Sequence, residues 1–170
     1  MKARIILFAF LISALFISAA NAQLEKFEAA YLVNFTRFIE WPAENSSGNF
    51  IIGVLSNDPI VKELQGLAPT KTVFGRKIEV KVFNNPESIT SAHILFVPSG
   101  QSGKIESVAS NINSRGTLLV SYASNGTAKG SGINFILEDN KLQFEIRKSN
   151  ITKYNLKVSS GLETLAKKVY

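Results

Sequence analysis

The chain has 170 residues and a formal net charge of +6 at neutral pH, and it contains one histidine and no cysteine. Without cysteine it forms no disulfide and has no thiol redox switch, and a zinc site would lack its commonest ligands. The basic residues form no dense run, so the charge indicates a solvated surface rather than nucleic-acid binding.

The first 22 residues have the pattern of a secretory signal peptide. Lys2 and Arg4 precede an apolar run over residues 5–17, and Ala20-Asn21-Ala22 supplies a small-residue cleavage motif. The run is shorter than the roughly 20 residues that a membrane-spanning helix needs. We therefore predict that residues 1–22 are cleaved and that residues 23–170 form an exported domain.

An aromatic helix is predicted directly after the cleavage site. Its apolar residues recur three or four positions apart and are Leu24, Phe27, Tyr31, Phe35 and Phe38. Pro42 disfavours helical geometry at Trp41, so the helix is expected to end there. This stretch is either the first core helix alone, or a core helix whose Trp-Pro corner, with Tyr31 and Asn34, also lines a site.

Short apolar strands then alternate with helical segments. Strands are predicted over 50–55, 78–83, 93–97 and 117–121, and helices over 60–67 and 104–112. Such alternation favours a parallel or mostly parallel sheet with helices on its faces.

The C-terminal part has a different pattern. Residues 124–132 are rich in Gly, Ser and Asn and are predicted to form a flexible loop. Two apolar stretches, 133–137 and 142–146, flank Asp139-Asn140 and predict a β-hairpin. Ser159 is placed to cap a final helix that would extend to Val169. The predicted fold is a single compact α/β domain with a mixed, mostly parallel sheet flanked by helices, and a C-terminal β-hairpin.

Searches for catalytic motifs mostly fail. His93 begins an apolar strand, which favours a hydrogen-bonded structural histidine over a member of a Ser-His-Asp site. The stretch 126–132 lacks the phosphate-loop spacing and leads into a strand rather than a helix. We therefore predict no catalytic residue, no metal ion and no cofactor.

Several stretches, taken together, resemble the YfiR family of exported bacterial proteins. They occur in the family's order, cover nearly all of residues 23–170, and are 30–42, 52–55 with Asp58-Pro59, 71–80, 93–97, 132–139, 144–146 and 156–160 before Leu165-Ala166. One departure concerns Ala92, because many relatives carry Cys just before the His of the strand motif. Any thiol-based signal proposed for relatives cannot operate in this chain.

The resemblance implies a periplasmic regulator, not an enzyme. The best-known relatives bind the periplasmic sensory domain of an inner-membrane diguanylate cyclase and hold it inactive, which controls cyclic di-GMP and biofilm formation. Related domains also occur in or beside sensor kinases, so a sensor histidine kinase is the alternative partner. Relatives are described as dimers, and small ligands have been proposed for some.

Three hypotheses follow for the site. The first is inhibition by occupancy, in which an apolar and aromatic surface docks on a membrane receptor's exported domain. The second is a small-ligand-binding protein of the envelope that uses the same corner, and the third is an enzyme dependent on His93. The partner- or ligand-binding candidates are Tyr31, Asn34, Trp41, Arg76, His93, Asn134, Phe135 and Arg147. Buried core is the competing interpretation for Phe135 and Tyr31.

Overall fold

A sheet of eight strands carries the fold. The computed structural model describes residues 23–43, 47–112 and 116–170, and the predicted signal peptide lies outside the described residues. Helix α1 spans residues 23–35. The other helices are α2 (Ile60–Leu67), α3 (Ile105–Asn111), α4 (Lys148–Lys153) and α5 (Ser160–Leu165). The strands are β1 (Ile39–Glu40), β2 (Phe50–Leu55), β3 (Thr72–Val73), β4 (Arg76–Phe83), β5 (Ile94–Val97), β6 (Leu118–Tyr122), β7 (Ile133–Glu138), β8 (Lys141–Ile146), β9 (Lys157–Val158) and β10 (Lys168–Val169).

The strand order across this sheet is β10-β8-β7-β6-β5-β2-β4-β3. The five strands from β7 to β4 run parallel, whereas β3 and β8 are antiparallel to their inner neighbours and β10 runs parallel to β8. Strands β1 and β9 form a separate antiparallel pair. The predicted α/β domain, with its mixed, mostly parallel sheet, flanking helices and C-terminal hairpin, is confirmed.

Strands β2 and β5 in the middle of the sheet consist of apolar residues and glycine, which suits strands covered on both faces. All four residues of β5 are buried, and so are five of the six residues of β2. Strand β4 lies one place from the sheet edge and is much less buried: only Ile78 and Phe83 are buried, and its other six residues are partly or fully exposed. The difference in burial explains why the sequences of β2 and β5 are continuously apolar, whereas apolar and charged residues alternate along much of β4.

Helix α1 packs on one face of the sheet through its second half, whereas Phe27 of the predicted apolar face is half exposed. Leu32 and Phe35 are buried, and the Phe35 ring centroid lies 5.8 Å from that of Phe135 and 5.1 Å from that of Phe144. The prediction of a first core helix is therefore confirmed. Its predicted end at Trp41 is wrong, because the helix stops at residue 35 and Ile39 already pairs with Val158 of β9.

Helices α3 and α4 lie together on the opposite face. The Tyr154 hydroxyl, at the end of α4, donates a hydrogen bond to the backbone oxygen of Ala109 in α3 over 3.2 Å. Helix α4 was not predicted from the sequence. It is only six residues long, and one buried residue, Ile151, gives it no periodic apolar pattern.

In the C-terminal part of the chain, one prediction is confirmed and two are wrong. The β7–β8 hairpin turns at Asp139-Asn140 as predicted. The final helix ends at Leu165, not Val169, because Lys167 and Tyr170 donate backbone hydrogen bonds to β8. The predicted flexible loop after β6 is instead a series of hydrogen-bonded turns, held by the side chain of Asn150.

Candidate functional site

An open groove lies at the amino ends of β2 and β5, where the chain leaves α1. Its volume is about 400 Å³, and we call it the aromatic groove. Its lining residues are Ile39, Glu40, Trp41, Pro42, Ala43, Phe50, Phe74 and Arg76. The β1–β9 pair holds the first two of these, and the β3–β4 hairpin supplies the last two.

The Trp41 indole forms the wall of the aromatic groove. Its ring centroid lies 5.2 Å from that of Phe50 at an interplanar angle of 86°, and 6.2 Å from that of Phe74. Its Nε1 donates a hydrogen bond to the backbone oxygen of His93 over 3.2 Å. The indole is thus fixed by two edge-to-face ring contacts and one hydrogen bond, and it needs no ordering before it contacts a ligand.

His93 links the aromatic groove to the sheet. Its Nδ1 accepts a hydrogen bond from the backbone N–H of Ile51 over 2.9 Å, and its Nε2 lies 3.0 Å from an Arg76 Nη2. The imidazole also stacks on Phe50, with centroids 4.5 Å apart and planes 24° apart. This geometry favours the structural interpretation of the histidine, since both ring nitrogens are occupied by neighbouring protein groups.

Arg76 lines the aromatic groove and holds the segment before β2 by hydrogen bonds. Its guanidinium donates to the backbone oxygens of Ser47, Gly48 and Asn49, each over 2.7 Å. The same group lies over the Phe50 ring at 5.7 Å. The three carbonyls therefore hold the guanidinium in a defined orientation beside the groove that Arg76 lines.

Phe74 stands at the mouth of the aromatic groove and is 65% exposed. With Gly75 it forms the two-residue turn between β3 and β4, and both residues have positive φ, at 51° and 73°. This type I′ turn favours Asn or Gly at both positions. A bulky residue with positive φ costs roughly 1–3 kcal/mol and often marks a functional site.

The structure brings together three of the residues predicted for the site, namely Trp41, Arg76 and His93. Asn34 lies nearby: it is exposed and lines a smaller groove of about 180 Å³ on the other side of Phe74. Phe74 itself was not predicted. The signal that could have found it is an aromatic residue directly before Gly, at a position where two short strands must reverse direction.

The remaining predicted residues lie elsewhere. Phe135 is fully buried and contacts Phe35 and Phe96, so the core interpretation applies to it. Tyr31 is half-buried against the same cluster and lines a second groove of about 540 Å³ beside the β7–β8 hairpin. Arg147 lies between β8 and α4, with its guanidinium 4.6 Å over the Tyr170 ring.

Asn134 is also fully buried and has a structural role. Its Oδ1 accepts from the Ser121 hydroxyl over 2.7 Å and from the Ala123 N–H over 3.1 Å, and its Nδ2 donates to the Ala123 oxygen over 2.9 Å. A Cβ on Gly126 would lie only 2.2 Å from the same Oδ1. Asn134 therefore holds the turn after β6 closely against the sheet, and no surface is left for a partner.

One strongly shifted pKa lies away from the aromatic groove. Glu28 of α1 is only 4% exposed, and one of its carboxylate oxygens has no hydrogen-bond partner. Burial, reinforced by the negative charges of Asp58 and Glu25, raises the pKa of Glu28 to about 8. The described residues contain no cluster of three or more His, Cys, Asp or Glu side chains arranged to hold a metal ion.

Comparison with known proteins identifies the family. A family model described as YfiR/HmsC-like matches residues 25–167, whereas a search of curated proteins finds no match. In the part of the chain that the structure describes, no helix has the length and apolar character to cross a membrane. The proteins of this family are periplasmic regulators and are not known as enzymes. The chain therefore belongs to the YfiR/HmsC-like family.

Proposed function

We propose that this protein is exported to the periplasm by a cleaved signal peptide, and that it binds and restrains the sensory domain of an inner-membrane diguanylate cyclase. The family supports a regulator of this kind. Release of the cyclase would raise cyclic di-GMP inside the cell and promote biofilm formation. The aromatic groove is the surface that docks on the receptor.

The observation that carries this proposal is the exposed Phe74 in a strained turn. Neither exposure of a large apolar ring nor positive φ stabilises the isolated domain. Both become favourable if the ring is buried on a partner, because an aromatic residue held on a rigid hairpin loses little conformational entropy on binding. Tryptophan, tyrosine and arginine dominate binding energy at interfaces, and Trp41 and Arg76 lie directly beside Phe74.

The rigidity of the aromatic groove supports inhibition by occupancy. Trp41, His93 and Arg76 are linked to one another and to β2 by hydrogen bonds and ring contacts. A receptor segment bound there would meet a preformed surface. The domain would thus hold the receptor in one conformation without changing its own, and loss of the contact would release it.

The test is affinity capture from solubilised host membranes with residues 23–170 as bait. Phe74→Asn keeps a residue that suits the turn and removes the ring, so we expect a folded domain that retains at least tenfold less receptor. Phe27→Ala, a half-exposed aromatic on α1 outside the groove, is the matched control and should capture as the wild type does. Equal capture by wild type and Phe74→Asn would reject the groove as the docking surface.

The identity of the captured protein decides between two receptor classes. A membrane diguanylate cyclase supports the proposal as stated, and a sensor histidine kinase would replace the cyclase while keeping the docking mechanism. Capture of neither class, under mild detergent and low salt, would reject direct receptor inhibition.

A small ligand is the second candidate occupant of the aromatic groove. Its volume of about 400 Å³ lies within the range of small-molecule pockets, and aromatic rings with one oriented arginine suit a planar anionic compound. A thermal-shift screen of such compounds, repeated with Trp41→Phe, tests this. A ligand that raises Tm in the wild type but not in Trp41→Phe would support a ligand-regulated protein.

A further inference from the structure

The β3–β4 hairpin has a second side that the aromatic groove does not include. Phe74 also lines the smaller groove, whose other lining residues include Arg37 and Lys71. Lys71 in turn borders a fourth groove, of about 540 Å³, together with Lys77. We call Arg37, Lys71 and Lys77 the basic flank. Through Phe74 and Lys71, the basic flank is continuous with the aromatic groove.

The positive charge of the basic flank is not neutralised within the domain. All three side chains are exposed, and none forms an ion pair among the described residues. Two acids of the adjoining elements are paired with other lysines: Glu40, which lines the aromatic groove, contacts Lys157 at 3.1 Å, and Glu79 of β4 contacts Lys81 at 3.4 Å. The hairpin thus carries a net positive surface beside an apolar recess.

We propose that the basic flank binds an acidic segment of the receptor's exported domain, whose apolar side chains enter the aromatic groove. This inference rests on the proposed function and names the chemistry of the partner. Charge complementarity at an interface raises the association rate and suppresses wrong partners, while buried aromatic contacts supply most of the affinity. In this domain the aromatic groove would supply the affinity, and the cations of the basic flank would supply the association rate and the selectivity.

An anionic membrane surface is the other partner that lysines and a phenylalanine could meet. The groove favours a protein, because its walls are concave and Trp41 faces a recess of about 400 Å³ rather than protruding. A flat lipid surface would leave that recess unfilled, whereas a polypeptide side chain can occupy it. Anionic vesicles therefore enter the test as a competing probe.

The test uses charge reversal at two members of the basic flank. Binding of the captured receptor's exported domain is measured for wild type, for Lys71→Glu/Lys77→Glu, and for Lys104→Glu/Lys153→Glu. The control pair makes the same charge change at exposed lysines associated with α3 and α4. We expect the first pair to weaken binding at least tenfold at low salt and much less at high salt, while the control pair stays within twofold of wild type.

The outcomes separate this inference from the proposed function. If Phe74→Asn abolishes receptor binding and Lys71→Glu/Lys77→Glu does not, the docking function stands and the acidic partner is rejected. If both double variants weaken binding equally, the effect is one of net charge and the basic flank is rejected. If phosphatidylglycerol vesicles bind the wild type, and Lys71→Glu/Lys77→Glu abolishes this while receptor binding is unchanged, the surface is a membrane contact and the proposal is overturned.

Discussion

Two β-hairpins of this domain turn with a similar backbone conformation but differ in the residues at the turn. The β3–β4 and β7–β8 hairpins both turn in two residues with positive φ. The second uses Asp139 and Asn140, whose short polar side chains tolerate this conformation. The first places Phe74 there, with most of its ring in solvent. One turn follows local preference, and the other departs from it next to the aromatic groove.

The difference between the two turns indicates that stability determines the residues of one and binding those of the other. The β7–β8 hairpin packs Phe144 and Phe135 under α1, so its residues serve the core, and its turn serves only to reverse the chain. At the β3–β4 turn, stability alone would favour Asn, and the ring that replaces it faces an open groove. Phe74 departs from local preference while most of its ring stays in solvent, with one edge-to-face contact to Trp41, and this combination is the sign of a binding role.

The largest expected effect concerns the core side of the β7–β8 hairpin. Phe144→Ala removes a buried ring that contacts Phe35 and Tyr31, and it should lower the free energy of unfolding by about 3–5 kcal/mol. Urea unfolding measures this. Leu137→Ala, at a half-exposed position of the same hairpin, is the control and should cost below about 1 kcal/mol. Similar losses in the two variants would mean that the hairpin is not part of the core.

The next prediction exchanges the residue types of the two turns. Phe74→Asn should raise the free energy of unfolding by about 0.5–1 kcal/mol while it weakens receptor binding. Asp139→Phe should lower stability by roughly 1–3 kcal/mol and leave receptor binding unchanged. Thermal unfolding and receptor capture on both variants check the pair. If Phe74→Asn is destabilising, the ring contributes to the fold and the comparison of the two turns fails.

A pH effect independent of both hairpins comes from Glu28. The folded-state pKa of Glu28, about 8, lies above the ordinary glutamate value of 4.5, so the folded protein holds this proton more tightly than the unfolded chain does. Stability is therefore expected to fall as pH rises between these two values, by up to about 1.4 kcal/mol per pH unit from this group. Urea unfolding at pH 5, 6.5 and 8 measures the slope. Glu28→Gln should flatten it, and identical slopes in the two proteins would refute the assignment.

The smallest effect concerns an exposed ion pair that joins β7 to the segment before β10. Lys167 contacts Glu138 over 2.6 Å, and this contact raises the pKa of Lys167. Because both side chains are exposed, Lys167→Ala should change stability only slightly, and the change should vanish in concentrated salt. Receptor binding should be unaffected. A large loss that persists in salt would show that the pair supports the hairpin more than its exposure indicates.

Local sequence was informative where the pattern was long. The apolar runs of β2 and β5, the alternation in β4 and the aromatic stripe of α1 each extend over several residues, and each element was predicted. Strands β9 and β10 have two residues each, and α4 has six, so they carry no periodicity to detect. The ends of α1 and α5 were predicted too far along, because backbone pairing with distant strands stops both helices.

The candidate site residues were also predicted with unequal success. Trp41 and Arg76 were chosen near the Trp-Pro corner, and the structure adds His93 to them through a hydrogen bond and a close contact. Asn134 was chosen for its place near the predicted hairpin, and its structural role depends on Ser121 and Ala123, which precede it by more than ten residues. Side-chain chemistry alone could not distinguish a buried amide from an exposed one.

The sequence by itself determined the fold class, the apolar strands that form the sheet, the aromatic face of α1 and the resemblance to one family. These properties depend on residue type and short-range periodicity, which are local. Only the tertiary structure decided that Phe74 is exposed at the aromatic groove, that Glu28 is buried beside Asp58 and Glu25, and that Phe135 lies in the core. Burial and proximity are set by how strands from distant parts of the chain are ordered, and no single stretch encodes that order.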